Sequence, residues 1–318
     1  MTSIQYHYII GKQCVTNLHY NSTTGISVRE NLCLTLIKGN SDQYENLSHE
    51  LHRILIDSLC CSDTLSTLLI IPTDKLYYLP FESVLDNENR FLIQNKSIAY
   101  LPSLFCLSIV PQVDEKFENP KIVGIGNPDL GMPDFDLPYS EEEILSIKQN
   151  FPETRILLRN LASEKNLKQI DSADILHIAC HGDFDAYLPD FSYLMLCGDE
   201  SDDGNLYLNE IWELKLSVKL TVIASCQTGK VDINAGDDIT GISQSFFIAG
   251  SQSIIASFWS IDDKATSILM KNFYQSLRSD MTIKDALRSA KLKFIKSPVP
   301  IEYHHPFYWS AFSLLGNF

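Results

Sequence analysis

The chain has 318 residues, 45% hydrophobic and 20% charged, so its length suits two domains or one large α/β unit and its composition excludes an intrinsically disordered protein. It carries 25 Lys and Arg residues against 40 Asp and Glu residues, a net charge of −15. Such a charge repels nucleic-acid phosphates and anionic lipids and attracts basic partners, although it also serves solubility alone, so we expect no direct binding to nucleic acid.

The first third of the chain mixes strand patterns with one clear helix pattern. Apolar residues alternate with polar ones where strands are predicted, and they recur every three or four residues where the helix is predicted. The predicted elements are strands within 4–37, a helix over 44–59, a strand over 65–71, a short strand and a turn into a helix over 75–85, and a strand over 97–101. A stretch rich in proline and charge, 111–120, predicts a boundary between subdomains 1–115 and 116–318.

The rest of the chain has a regular rhythm of strand and helix. The predicted strands cover 121–125, 155–158, 175–179, 194–196, 220–224 and 253–257. The predicted helices cover 140–150, 163–170, 208–212, 239–249 (ended by Gly250), 263–278 and 283–295. Because most of these strands are continuous apolar runs between helices, the pattern indicates an α/β fold with a mostly parallel sheet covered on both faces.

Cysteine usage and the absence of targeting signals favour a cytoplasmic protein. None of the 8 cysteines forms a Cys-x-x-Cys pair, which is typical of free thiols in a reducing compartment. No apolar run approaches the ~20 residues that span a bilayer. The N-terminus lacks the basic and then apolar layout of a signal peptide. We therefore expect no membrane association.

Two predicted strands end in reactive side chains. His181 follows the strand 175–179, and Cys226 follows the strand 220–224. Because neighbouring parallel strands present their carboxyl ends at one edge of the sheet, this thiol and this imidazole can act as nucleophile and base. Alone, each is more often structural, since a Cys at the end of a buried strand is usually a small hydrophobic residue. The pair leaves the catalytic and the structural interpretations evenly matched.

Three further patterns carry weaker signals. His177 lies in the middle of a strand and is expected to pack in the core. Cys180 and His181 are adjacent and so point to opposite faces of an extended chain, which argues against a zinc site. The glycine pattern at 124–131 follows a strand as in dinucleotide-binding proteins, but its third glycine comes late and Pro128 interrupts it. We expect no metal and no cofactor.

Several motifs, in order along the chain, resemble the CHAT-domain family of caspase-like cysteine peptidases, which are related to separase and the caspases. The motifs are Leu69–Glu82, His181-Gly182, Ser225–Gly229, Gly241–Gly250, Phe258–Asp263 and His305–Phe312, and the resemblance covers about residues 45–318. It implies a caspase-like, mostly parallel sheet flanked by helices. It also implies an inactive pseudo-caspase half, residues 1–115, that supports a catalytic half, residues 116–318.

The resemblance also assigns roles to individual residues. It implies that Cys226 is the nucleophile, that His181 is the general base, and that the backbone N–H groups of Gly182 and Cys226 form the oxyanion hole. Gln227 and Asp237 stand where the family often has Glu. Neither position carries the bond-breaking step, so the departures leave the implied peptidase activity unaffected.

The resemblance suggests a preference for a basic residue before the scissile bond. In separase-like members an acidic residue receives the basic side chain, and Asp262 and Asp263 occupy the similar stretch of this sequence. Asp183 and Asp185 are further acidic candidates near the cleft. The alternative is that Asp262 or Asp263 only caps the helix that begins there.

The family resemblance also sets expectations about partners. Members usually carry tetratricopeptide repeats on the N-terminal side, which this sequence lacks, so we expect either a standalone member or a piece of a longer protein. The implied function is cleavage of one protein target after activation by a sensor or partner, in bacterial defence or regulated cell death. The competing interpretations are a catalytically silent interaction scaffold and a nucleotide-binding α/β protein.

Overall fold

The computed structural model describes residues 5–10, 13–18, 41–57, 66–72, 76, 79–101, 116–183, 188, 191–227, 236–259, 261–296, 299 and 301–316. Its strands are β1 (Gln5–Ile10), β2 (Gln13–Leu18), β3 (Thr67–Pro72), β4 (Ser97–Tyr100), β5 (Ile122–Gly126), β6 (Arg155–Leu158), β7 (Ser172–Ala179), β8 (His181–Asp183), β9 (Tyr193–Met195), β10 (Asn205–Tyr207), β11 (Ser217–Ile223), β12 (Cys226–Gln227), β13 (Ser251–Ser257) and β14 (Phe312–Gly316). Its α-helices are α1 (Ser41–Leu51), α2 (Leu92–Asn95), α3 (Pro138–Asn150), α4 (Glu164–Lys168), α5 (Leu208–Glu213), α6 (Gly236–Ala249), α7 (Asp263–Arg278), α8 (Ile283–Lys296) and α9 (Pro306–Trp309).

The strands form one large sheet and one small one. Among the described residues the large sheet has 10 strands, in the order β1-β2-β3-β4-β14-β13-β11-β7-β5-β6. Its β1–β2 and β13–β14 pairs are antiparallel, and every other neighbouring pair is parallel. The small sheet has the order β10-β9-β8-β12. The prediction of a mostly parallel α/β sheet is therefore confirmed.

Helices cover both faces of the large sheet because its central strands are apolar on both sides. Along β7, Ile175 and Ala179 join the core beneath α3, α7 and α8, whereas Leu176 and Ile178 join the core beneath α4, α5 and α6. This is the period-2 alternation of a strand buried on both faces. None of the described helices is both long and apolar enough to cross a membrane.

The N-terminal strands join the rest of the sheet where β4 pairs with β14. At this junction a buried ion pair links Lys291 Nζ on α8 to Glu82 Oε1 at 2.9 Å. The Tyr100 hydroxyl on β4 donates to the other Glu82 oxygen at 2.7 Å, and the Ser313 hydroxyl on β14 donates to Oε1 at 3.2 Å. The buried Glu82 carboxylate thus links β4 to β14 and α8. Half of the predicted subdomain boundary, residues 111–115, lies outside the described residues.

The structure differs from the predicted elements mainly at their ends. The first predicted helix begins at Ser41 and continues after Leu51 as a π-helical turn. The predicted strand near residue 75 lies largely outside the described residues, and the helix predicted after it is a single 3-10 turn, Phe81–Ser83. The predicted end of the helix at Gly250 is confirmed, because that residue has a φ of 116°, which favours glycine.

Candidate active site

The two residues of the predicted dyad lie where a pair of adjacent parallel strands leaves the large sheet. β7 and β11 pair along their length, and the Ala224 N–H still donates to the Ile178 carbonyl, at 2.8 Å. The chain then continues into β8 and β12, which pair in parallel with Cys226 opposite His181. Paired strands lie about 4.8 Å apart. The fold therefore brings the backbones of both residues together at the carboxyl edge of the sheet.

Polar contacts beneath this junction fix the two strand ends. The buried Cys180 Sγ and Ser225 Oγ lie 3.4 Å apart, and the Ser257 hydroxyl donates to the Ser225 carbonyl at 3.3 Å. Burial raises the pKa of the Cys180 thiol to about 12. Burial also raises the pKa of the Cys197 thiol. Neither of these thiols is activated as a nucleophile.

The His181 imidazole is half-buried and is held by Phe135 in two ways. Nε2 lies 3.1 Å from the Phe135 carbonyl oxygen, and the two rings pack edge to face with centroids 5.3 Å apart. A carbonyl can only accept, so Nε2 carries the proton in this contact and the neutral ring keeps Nδ1 free to take one. Burial lowers the pKa of His181 from its ordinary value. The side chain is therefore prepared as a neutral base near neutral pH.

Phe135 was not found by sequence reasoning, because its contribution is a backbone carbonyl that any residue type supplies. The glycine pattern just upstream does have a structural explanation. A Cβ atom on Gly126 would lie 2.6 Å from Ile144 Cγ1, and one on Gly124 would lie 3.1 Å from Cγ2 of the same residue. These glycines let α3 pack closely on β5, which accounts for the first two glycines of the pattern at 124–131.

The three acidic candidates among the described residues differ in the contacts that they make. Asp262 is exposed, but its Oδ1 caps α7 by accepting the Ala265 N–H at 2.9 Å and also accepts the Tyr303 hydroxyl at 3.1 Å. Asp263 Oδ2 accepts the Tyr139 N–H at the start of α3, at 3.1 Å. Asp183 is exposed on β8, two residues after His181. Asp262 thus caps its helix, the alternative left open by the sequence. Asp185 lies outside the described residues.

The carboxyl of Asp263 lies near a buried polar cluster under the sheet. Burial, followed by the charge of Glu143, raises the pKa of Asp263 to about 6. Glu143 Oε1 lies 2.5 Å from Nε2 of His177, whose Nδ1 lies 2.9 Å from the Tyr274 hydroxyl. His177 is fully buried, as the sequence predicted, and it links β7 to α3 and α7. Within the described ranges no three His, Cys, Asp or Glu residues are grouped to hold a metal ion.

The sheet order and the strand-end site define a caspase-like α/β fold, and similar solved structures are known. The yeast Saccharomyces cerevisiae separase–securin complex matches in two structures at a TM-score of 0.52 and 14% identity, covering 80% and 87% of this chain. Those matches span only 15% and 17% of the separase chains. The Arg-specific cysteine proteinase gingipain R matches at a TM-score of 0.48 and 9% identity, covering 91% of this chain and 74% of that one. No curated protein matches the sequence.

The family assignment rests on the sequence itself. The model of the CHAT domain matches residues 45–317, which is most of the chain. The chain therefore belongs to the CHAT domain family, and the resemblance seen in its motifs is confirmed.

Proposed function

We propose that this protein is a cysteine endopeptidase in which Cys226 is the nucleophile and His181 the general base. The observation that carries the proposal is the pairing of Cys226 opposite His181, with His181 Nε2 already engaged by the Phe135 carbonyl. A base needs a defined tautomer and an open nitrogen, and this contact supplies both. Membership of the CHAT domain family supports the same assignment.

The reaction follows from these roles. His181 Nδ1 takes the proton of the Cys226 thiol, and the thiolate attacks the scissile carbonyl carbon to form a tetrahedral oxyanion. Collapse breaks the C–N bond, and the imidazolium returns its proton to the leaving amine. Water, deprotonated by the same imidazole, then hydrolyses the thioester. The N–H groups of Gly182 and Cys226 are the proposed oxyanion donors, each worth about 10²–10³ in rate.

For specificity, Asp183 is the acidic candidate that the described contacts support best. It is exposed and directly follows Gly182 on β8, whereas Asp262 and Asp263 already bind helix N-termini. A carboxylate beside the scissile bond favours a Lys or Arg side chain there. A panel of fluorogenic peptides that varies only that position tests the idea, with Asp183→Asn as the second arm. A preference for apolar residues that is unchanged in Asp183→Asn would refute the role of Asp183 in binding a basic side chain.

We also propose a biological setting for this peptidase. We place the peptidase in the cytoplasm, where a sensor or partner chain activates it to cleave one protein target in defence or regulated cell death. Tetratricopeptide repeats are the sensor that the family resemblance suggests. The strongly acidic composition, −15 overall, agrees with a basic target segment.

The deciding experiment expresses the chain together with proteins encoded beside it. Target fragments are expected with the wild type and with Cys197→Ser, which removes a partly buried, unactivated thiol, and none with Cys226→Ala. Sequencing the fragments gives the target and the cleaved bond together. Cleavage that persists in Cys226→Ala would refute the proposal.

Thiol labelling addresses the same site without a substrate. A mild electrophile at neutral pH is expected to modify Cys226 and to spare Cys180, whose raised pKa keeps it protonated. If Cys226 resists labelling in the folded protein, a catalytically silent scaffold becomes the better description.

A further inference from the structure

The segment that carries Phe135 is anchored to the strand that leads to His181. The Ala179 carbonyl, at the end of β7, accepts both the Asn127 N–H at 3.1 Å and the Ser140 hydroxyl at 2.6 Å. Between these two anchors the chain forms the segment 127–140, which we call the base-holding loop. Its two ends are therefore fixed two residues before the general base, while its middle contacts that base directly.

The side chain of Asn127 organises the interior of the base-holding loop. It is 1% exposed, and its Oδ1 accepts the Leu137 N–H at 2.9 Å, two residues beyond Phe135. Its Nδ2 donates to Asp136 Oδ1 at 3.1 Å and to Glu141 Oε2 at 3.3 Å. All polar atoms of this buried amide are thus used to hold the two residues that follow Phe135 and the start of α3.

The chemistry of this position calls for an amide. The acceptor must face a backbone N–H, and the donor must face two carboxylates, which only Asn or Gln can satisfy at once. An aspartate would keep the acceptor but add a third negative charge beside Asp136 and Glu141. The backbone of Asn127 has a φ of 44°, a conformation open to Asn and Gly but strained for most other residues.

We propose that Asn127 is a positioning residue for the general base. Its amide holds the Phe135 carbonyl at Nε2 of His181, which fixes the Nε2-protonated tautomer and leaves Nδ1 as the proton acceptor. The catalytic meaning of this role rests on the proposed function, whereas the tautomer is a property of the fold and is measured without a substrate. Loss of the amide frees the loop, and a displacement of about 1 Å at the base costs about 10²-fold in rate.

The test uses the imidazole ¹⁵N chemical shifts of His181, assigned by their loss in His181→Gln. Asn127→Gly removes the amide and tolerates the positive φ, so it isolates the side chain. Asn127→Asp keeps the acceptor for the Leu137 N–H and serves as the conservative variant. Asn150→Ala is the matched control, because that amide donates to the Ser146 carbonyl at the far end of α3.

In the wild type and in Asn150→Ala we expect one protonated and one unprotonated nitrogen, with well-separated shifts. In Asn127→Gly the two shifts should move together as the tautomers exchange. Asn127→Asp keeps the Leu137 contact but loses both donor contacts, so its separation should lie between those of Asn127→Gly and the wild type. If Asn127→Gly does not fold, Asn127→Asp carries the test, since aspartate tolerates the positive φ and lacks both Nδ2 donors, so its shifts should still differ from those of the wild type.

Unchanged shifts in a folded Asn127→Gly or, where that variant does not fold, in Asn127→Asp would overturn the positioning role. With a cleaved target in hand, the same variants should lose about 10²-fold in kcat with KM little changed. Cleavage that survives Cys226→Ala would instead refute the peptidase and leave the tautomer result standing, so the two failures are distinguishable.

Discussion

The buried carboxylate of Glu82 should make the fold sensitive to loss of one lysine. Lys291 is 1% exposed on α8, and its ammonium is the cation within 2.9 Å of Glu82. Lys291→Met keeps the length of the side chain but leaves the carboxylate, among the described residues, with the Tyr100 and Ser313 hydroxyl donors. A buried charge that loses its partner in this way is strongly destabilising, because the desolvation cost stays and the attraction is gone.

The size of the effect can be estimated. Breaking a buried pair from one side costs about 3–5 kcal/mol. Unfolding carries about 2.1 cal/mol/K per residue, so a chain of 318 residues has an unfolding entropy of about 0.67 kcal/mol/K. Dividing the loss of free energy by this entropy predicts that Lys291→Met lowers Tm by about 4–8 °C. The loss is a large part of a typical stability of about 5–15 kcal/mol.

The assay is a double-mutant cycle in which the free energy of unfolding of each variant is measured by urea titration. Lys291→Met and Glu82→Gln should each be destabilised, and the double variant should be less destabilised than the sum, with a coupling of about 2–3 kcal/mol. Lys293→Met is the control, since that lysine is partly exposed on the same helix and donates to the neutral Asn272 side chain, at 3.2 Å. A cost under about 1 kcal/mol for Lys291→Met, or strict additivity, would refute the reasoning.

Three further results are expected. The pKa of Asp263, raised from 3.8 to about 6, means that the native state binds more protons in that interval. The free energy of unfolding should therefore fall as pH rises through it, and Asp263→Asn should flatten the fall in urea titrations. Because the pKa of His181 is lowered, the acid limb of the pH profile of kcat/KM should have its midpoint below pH 6.5. A midpoint at or above pH 6.5 would contradict the proposal that His181 acts as a buried, neutral base. Gly250→Ala should cost about 2–3 kcal/mol in urea unfolding, because φ is 116° and a Cβ would lie 2.0 Å from a backbone oxygen. Gly131→Ala, with a φ of 69° and nothing within 4 Å, should cost only about 1 kcal/mol.

Sequence patterns were most informative where one physical cause dominates. The apolar runs over 121–125, 175–179 and 220–224 predict strands that the structure contains, because a strand buried on both faces tolerates few polar residues. The positions of His181 and Cys226 at strand ends were enough to predict that their backbones meet, since parallel strands share one carboxyl edge.

Other parts of the site have no local signature. The carbonyl that engages His181 belongs to Phe135, and nothing in a phenylalanine marks its backbone oxygen. The role of Asp262 was undecided because a helix cap and a substrate-binding carboxylate use the same residue type, and only the Ala265 contact separates them. His177 packs in the core as its place in the strand predicts, and the contact of its Nε2 with Glu143 Oε1 joins elements that are distant in sequence. Contacts of this kind depend on the tertiary fold.

At the ends of β7 and β11 the chain passes from the large sheet into the small one. This passage bears on how the proposed site can be kept inactive. The long ladder between β7 and β11 belongs to the core, whereas among the described residues β8 and β12 pair at two positions, Cys226 with His181 and Gln227 with Gly182. Separating these two described residue pairs forfeits one or two hydrogen bonds, about 1–3 kcal/mol, and leaves the core ladder intact. An effector commonly supplies a coupling energy of about 1–3 kcal/mol. Loss of these two backbone pairs thus separates the residues of the proposed dyad at a free-energy cost far below that of unfolding the protein.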